Sequence, residues 1–198
     1  MKVHVVRTGV ANLASVLAGL GRVGAEAVLT AAEEEVRHAD RLVLPGVGAF
    51  GAAMDELVRL GLVDALRERV QAGRPTFTIC LGLQLLARTS EETPGAVGLG
   101  VIEGPVTRFT GAVRVPQMGW NEVVPEPGSR WITPGFAYFA NTFKVDRIPA
   151  GWSGALADHG GPFVAALERG DVLACQFHPE LSGPWGAALM QRWVEGRC

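Results

Sequence analysis

Four short apolar runs, each followed by a segment with helical spacing, constrain this chain more than any other feature. Residues 3–7, 27–29, 41–44 and 76–79 read as strands. The intervening residues 12–23, 31–39 and 54–70 read as helices, and residues 81–88 as a fourth. In the first helix Leu13, Val16, Leu17, Leu20 and Val23 recur at the spacing of one helical face. In the third, Leu57, Leu60, Val63, Leu66 and Val70 do the same. Thr30 is placed to cap the second. Strands that alternate with helices pair in parallel, because the crossover helix carries the chain back to the same edge of the sheet.

The second half has a different texture. Residues 98–177 hold short strand-like runs broken by Gly and Pro. Residues 155–158 and 163–167 flank His159-Gly160-Gly161-Pro162, a hairpin turn. Residues 172–177 form another strand and 184–194 a closing helix. The expected fold is a single α/β domain over residues 1–198: an open, mostly parallel sheet with helices on both faces and an antiparallel strand extension.

Composition excludes several function classes. Hydrophobic residues are 48% and charged residues 19% of the 198, which supports a packed core rather than a disordered chain. The formal net charge of -2 and the scattered arginines leave no basic footprint for nucleic acid. The longest apolar runs fall far short of a membrane span, and the start of the chain lacks the pattern of a secretory leader. Three widely spaced cysteines do not make a disulfide framework, so a reduced, cytoplasmic setting is expected. The 26 glycines are the unusual element, since glycine without a repeat marks tight turns or close backbone approaches.

Three motifs follow predicted strands. Gly46-Val47-Gly48-Ala49-Phe50-Gly51 fits G-x-G-x-x-G. A dinucleotide site, a plain tight turn and a nest of backbone N–H groups for an oxyanion are all compatible with it. Ile79-Cys80-Leu81-Gly82-Leu83-Gln84 places a cysteine at a strand-to-helix turn, where the sulfur is exposed above the sheet. A helix N-terminus there favours the thiolate. Gln84 lies one helical turn on, where its amide can hold a polar substrate. Gln176-Phe177-His178-Pro179-Glu180 supplies a base and a carboxylate to orient it. Taken singly, Cys80 reads equally as a buried structural thiol, His178 as a core histidine and Glu180 as a surface charge. Together they compose a nucleophile, an oriented base and an oxyanion loop.

Cys80-Leu81-Gly82-Leu83-Gln84 with His178-Pro179-Glu180 resembles the class I (triad) glutamine amidotransferase family. Pro45-Gly46-Val47-Gly48-Ala49-Phe50, Met118-Gly119-Trp120-Asn121 and Asn12-Leu13 with Ser15-Val16 narrow the resemblance to the glutaminase subunits of imidazole glycerol phosphate synthases. The resemblance implies a triad of Cys80, His178 and Glu180 that hydrolyses L-glutamine. It implies oxyanion donors at Val47 and Leu81, and glutamine contacts from Gly46, Gly48, Gln84, Thr142 and Phe143. It further implies a heterodimer with a (β/α)8-barrel cyclase, met near Asn12, Met118, Trp120 and Asn121, and no cofactor or metal. The alternatives are a triad glutaminase of a different synthase, another cysteine hydrolase, and a non-catalytic paralogue that binds or regulates.

The chain also departs from the family pattern. Thr78 replaces a glycine two residues before the cysteine, where it is expected to crowd the turn. Arg7-Thr8-Gly9 stands for Asp-Tyr-Gly, Ala11 for glycine, and Gln117 for histidine. Phe139-Ala140-Asn141-Thr142-Phe143 stands for Phe-Val-His-Ser-Tyr, and Leu181 for an interface lysine. Cys175 with His178 makes half of a zinc pattern but has no second pair, so Cys175 reads as a packed strand residue. His4, Trp131, Trp152, Trp185 and Trp193 read as packing, His38 as solvated, His159 as part of a turn and Cys198 as a mobile end.

Overall fold

The computed structural model of the chain describes residues 1–8 and 12–197. The expectations for Gly9, Ala11 and Cys198 lie outside them. The first half runs β1 (Lys2–Val6), α1 (Leu13–Arg22), β2 (Glu26–Thr30), α2 (Glu33–His38), β3 (Leu42–Gly46), α3 (Phe50–Arg59), α4 (Val63–Gln71), β4 (Thr76–Cys80) and α5 (Leu81–Gln84). The second runs β5 (Thr89–Ser90), β6 (Pro105–Arg108), β7 (Gln117–Pro125), β8 (Gly135–Asn141), β9 (Phe143–Lys144), β10 (Ser153–Asp158), β11 (Pro162–Arg169) and β12 (Val172–Cys175). A 3-10 turn (Pro179–Leu181) and α6 (Gly183–Glu195) close the chain. Among the described residues no helix is long and apolar enough to cross a membrane.

Nine strands form one sheet in the order β2-β1-β3-β4-β12-β11-β10-β7-β8. From β2 to β12 the pairings are parallel, and from β12 outward they are antiparallel. The expected architecture is therefore present, with the extension nearly as wide as the parallel half. Strand residues alternate between the two faces. Val43, Phe77, Ile79 and Leu173 pack with α1 and α6, whereas Leu42, Leu44, Val172 and Ala174 pack with α2, α3 and α4. β4 is enclosed on both faces and both edges, which is why all five of its residues are buried.

Three local expectations differ from the structure. The helix expected over residues 54–70 is two helices, α3 and α4, because Gly61 takes a left-handed φ of 69° between them. Thr30 does not cap α2. It ends β2, and its hydroxyl accepts from the Ala32 N–H at 3.1 Å, while Ala32 occupies the cap position without a side-chain bond. The helix expected over residues 81–88 stops after one turn. Its next carbonyls are taken by another stretch of chain: Leu99 N–H donates to Leu85, and Val101 N–H to Leu86, both at 2.8 Å. Backbone acceptors already satisfied from outside cannot extend a helix.

The α6 face is anchored by Trp193, fully buried with its ring centroid 5.2 Å from that of Phe77. Its indole N–H donates to the Asp171 carbonyl at 3.2 Å. Trp193→Ala removes a large ring from the core beneath β4 and is expected to cost about 3–5 kcal/mol of stability. Chemical denaturation followed by circular dichroism measures this, and an unchanged midpoint would contradict the assigned packing.

Candidate active site

Parallel strands deliver their carboxyl ends to one edge of the sheet, and the side chains singled out above collect there. Gly46 at the end of β3 is opposite Cys80 at the end of β4. On the other side Ile79 pairs with Cys175 of β12, which brings the residues just after them, Cys80 and Gln176, into the same row. β12 then leads directly into His178 and Glu180.

Cys80 is the only non-glycine among the described residues with a positive φ, at 54°. That backbone is costly for a side chain and occurs where a turn must point a residue out of the sheet. α5 starts at the next residue and passes so near β3 that a Cβ at Gly82 would collide with the Leu44 carbonyl oxygen. Only glycine allows this approach, so Gly82 and the strained Cys80 are two halves of one turn. Thr78 lies beneath it, fully buried, with its Cβ in position to touch any side chain at Gly82. Its hydroxyl has no hydrogen-bond partner. The turn forms with threonine in this place because the missing Cβ of Gly82 leaves the room.

Glu180 Oε1 lies 2.8 Å from His178 Nδ1, with both side chains almost fully buried. Nδ1 is thereby engaged, and the other ring nitrogen is left for Cys80, which lines the same cleft. Burial works against a charged ring here. The hydrogen bonds and charges of Cys80 and Glu180 outweigh it, and the His178 pKa is pushed up to about 10. The segment is held by its neighbours. His178 N–H donates to the Tyr138 carbonyl at 2.8 Å, and the Ser182 hydroxyl donates to the His178 carbonyl at 2.6 Å and accepts from Tyr138 N–H at 2.9 Å. Arg22 of α1 donates to the Glu180 carbonyl at 3.0 Å. Cys175 sits fully buried in β12, and burial, then the charges of Glu168 and Glu180, hold its thiol well above the usual range. Among the described residues no cluster of three or more His, Cys, Asp or Glu could hold a metal ion.

A cleft of about 280 Å³ opens over Cys80 and His178, walled by Val47, Gly48, Leu81, Gln84, Glu92 and residues 140–143. Most of the expected substrate residues, including Thr142 and Phe143, meet in it. Gly46 lies just beneath, packed against Leu81. Gln84 is tied in place, its amide nitrogen donating to the Phe143 carbonyl and to Gln176 Oε1, each at 3.0 Å. Two residues of the site were missing from the sequence reading. Gln176 stood in the quoted motif without a role, and Glu92 carried no local signal because it reaches the cleft from a loop after β5.

Met118 and Trp120 are 64% and 58% exposed on β7, and Trp120 meets Tyr138 of β8 edge-on. Phe136 and Leu181 are exposed as well. Asn121 is half-buried, its amide donating to the Asp158 carbonyl at 2.7 Å. Asn12 is exposed at the start of α1. Gln117 and Asn141 are paired across β7 and β8, each buried with an unpartnered side-chain oxygen. Trp131 and Trp193 are fully buried, and His38 is exposed beside Glu34.

Residues 8–195 match the family model of class I glutamine amidotransferases. The chain is 41% identical to imidazole glycerol phosphate synthase subunit HisH of Symbiobacterium thermophilum, covering 100% of this chain and 95% of that one. It is 40% identical to the subunit of the same name in Salmonella typhimurium, covering 98% and 100%. A solved glutamine amidotransferase aligns with a TM-score of 0.77 at 25% identity over 97% of each chain.

The raised His178 pKa has two measurable consequences. A folded-state value above the usual 6.5 stabilises the folded chain fully below pH 6.5, and this contribution is lost as pH rises toward about 10. In an NMR titration the His178 ring is expected to keep its proton through neutral pH. Glu180→Gln removes one of the charges that hold the proton and is expected to move the transition downward. A midpoint near 6.5 in the unaltered chain would overturn the assigned pairing.

Proposed function

The chain belongs to the class I glutamine amidotransferase family, and from that membership we propose how its residues perform the work of a glutaminase subunit of imidazole glycerol phosphate synthase in histidine biosynthesis. It hydrolyses L-glutamine to glutamate and ammonia. The observation that carries the reading is Cys80 on its strained turn beside a histidine whose other nitrogen is 2.8 Å from Glu180.

The proton and bond changes follow from that geometry. Cys80 sulfur attacks the side-chain amide carbon of glutamine while His178 holds the thiol proton. The tetrahedral oxyanion is received by backbone N–H groups of Leu81 and Val47, where one donor is worth on the order of a hundredfold in rate. His178 then gives its proton to the departing nitrogen, the C–N bond breaks and ammonia leaves a thioester. Water, activated by the now neutral His178, cleaves the thioester to glutamate and returns the proton to the sulfur. Glu180 keeps the imidazole oriented and favours its cationic form. Gly46, Gly48, Gln84, Thr142 and Phe143 hold the substrate, and the Glu92 carboxylate in the cleft wall is suited to its α-ammonium group.

Residues 1–198 act as one domain. The partner is a cyclase subunit with a (β/α)8 barrel that consumes the ammonia, docked over Asn12, Met118, Trp120 and Asn121 in the cytoplasm. The exposed aromatic and methionine side chains of β7 support that placement, because such residues serve as buried anchors once covered. Leu181 adds an apolar contact where the family carries a charge.

Cys80→Ala is expected to abolish glutamate release from glutamine while leaving the circular dichroism spectrum intact. In the complex with the cyclase, ammonium salts should restore product formation to this variant. Glutamate release at the unaltered rate would refute the assignment of the nucleophile. Failure of ammonium to restore product would indicate a different acceptor reaction.

A further inference from the structure

Gln176 is fully buried, one residue beyond β12, and belongs to neither the triad nor the cleft wall. Its amide nitrogen lies 3.8 Å from Cys80 Sγ and its amide oxygen accepts from Gln84 at 3.0 Å. The direction of this chain of amides follows from one fixed point. The group of Gln84 that faces the Phe143 carbonyl, 3.0 Å away, must be the NH2, because a backbone carbonyl only accepts. Asn141 Nδ2 reaches the same carbonyl at 3.0 Å and reinforces it as an acceptor. The second hydrogen of the Gln84 NH2 then points at Gln176, whose facing atom must be its oxygen. That leaves the Gln176 NH2 for the sulfur.

We propose that Gln176 supplies a fixed N–H donor to the Cys80 sulfur, its direction imposed by the Phe143 carbonyl through Gln84. The donor stands on the buried side of the sulfur, away from the open cleft, and it favours the anion over the neutral thiol. His178 approaches the same sulfur from the segment beyond, so the nucleophile has two donors and only one of them moves a proton. The relay also sets the polarity of Gln84. Both of its hydrogens are spent, and its oxygen is what remains to meet an N–H of the substrate. A side chain at the substrate wall is thus linked to the nucleophile through one buried amide.

This inference rests on Cys80 being the glutaminase nucleophile, and its test is chosen to stand apart from that reading. The full-length chain is alkylated with iodoacetamide across a pH series, with modification of Cys80 read by mass spectrometry and no glutamine present. Gln176→Met removes the donor at nearly constant size. It is expected to slow Cys80 alkylation near neutral pH by about tenfold to a hundredfold, the loss typical of a hydrogen bond to a charged group. It should also move the pH midpoint upward. With glutamine and the partner subunit, kcat should fall by a similar factor with KM moved less, whereas Gln84→Met, which removes a substrate contact as well as the group that orients Gln176, should raise KM and lower kcat together. Gln176→Glu keeps the shape and puts an acceptor beside the sulfur, so at pH 8 it is expected to slow alkylation at least as much. It carries the same test if the methionine variant does not fold. Unchanged alkylation rates and midpoint in the folded variant would overturn the proposal. Slowed alkylation in a chain that never hydrolyses glutamine would uphold the donor and overturn the glutaminase reading instead.

Discussion

The turn after β4 is the constraint on which the rest depends. A parallel strand buried on both faces has to end, reverse into a helix and still present a side chain upward. Cys80 does this by adopting a left-handed backbone with a φ of 54°. Such a conformation persists only where its surroundings over-determine it. Here they do so from both edges, with β3 in register through Gly46 and β12 through Cys175. Above the turn α5 is pressed against the Leu44 carbonyl through Gly82. The strain is held by a strand buried along its whole length, where the packing is least able to relax.

The second group of the site is held by a different logic. His178 lies beyond the end of its strand and gains its rigidity from borrowed backbone bonds, chiefly those of Tyr138 and Ser182. Tyr138 also meets the exposed Trp120 edge-on. The strand paired with the proposed docking face, β8, therefore supplies a residue that supports the base. The antiparallel extension thus positions the base as well as widening the sheet.

How far the sequence could be read depended on the range of the interactions. The strands β1, β3 and β4 and the helices α1 and α6 were legible because their apolar spacing is a local property with one periodicity. The division of residues 54–70 into two helices was carried by the single Gly61, which a helix can tolerate and which only the packing makes into a break. The early end of α5 was not legible, because the residues that take its carbonyls, 98–102, are remote in sequence. Glu92 was invisible for the same reason. Its carboxylate accepts from Phe50 N–H at 2.6 Å across a long loop, and nothing near it in sequence announces a cleft.

The sequence by itself determined the alternation of strands and helices, the lack of a run of basic residues or of an apolar run long enough for a membrane-spanning helix, and the presence of a cysteine, a histidine and a carboxylate in patterns that resemble a triad family. Each of these is local, set by side-chain size, charge and spacing along the chain. The tertiary structure alone decided that Glu180 reaches Nδ1 of His178, that Thr78 fits beneath a turn it was expected to crowd, and that Gln176 lies against the sulfur. These depend on the register between β4 and β12, strands separated by most of the second half of the chain. Register is fixed by burying both faces of the sheet at once, a condition that no single segment contains.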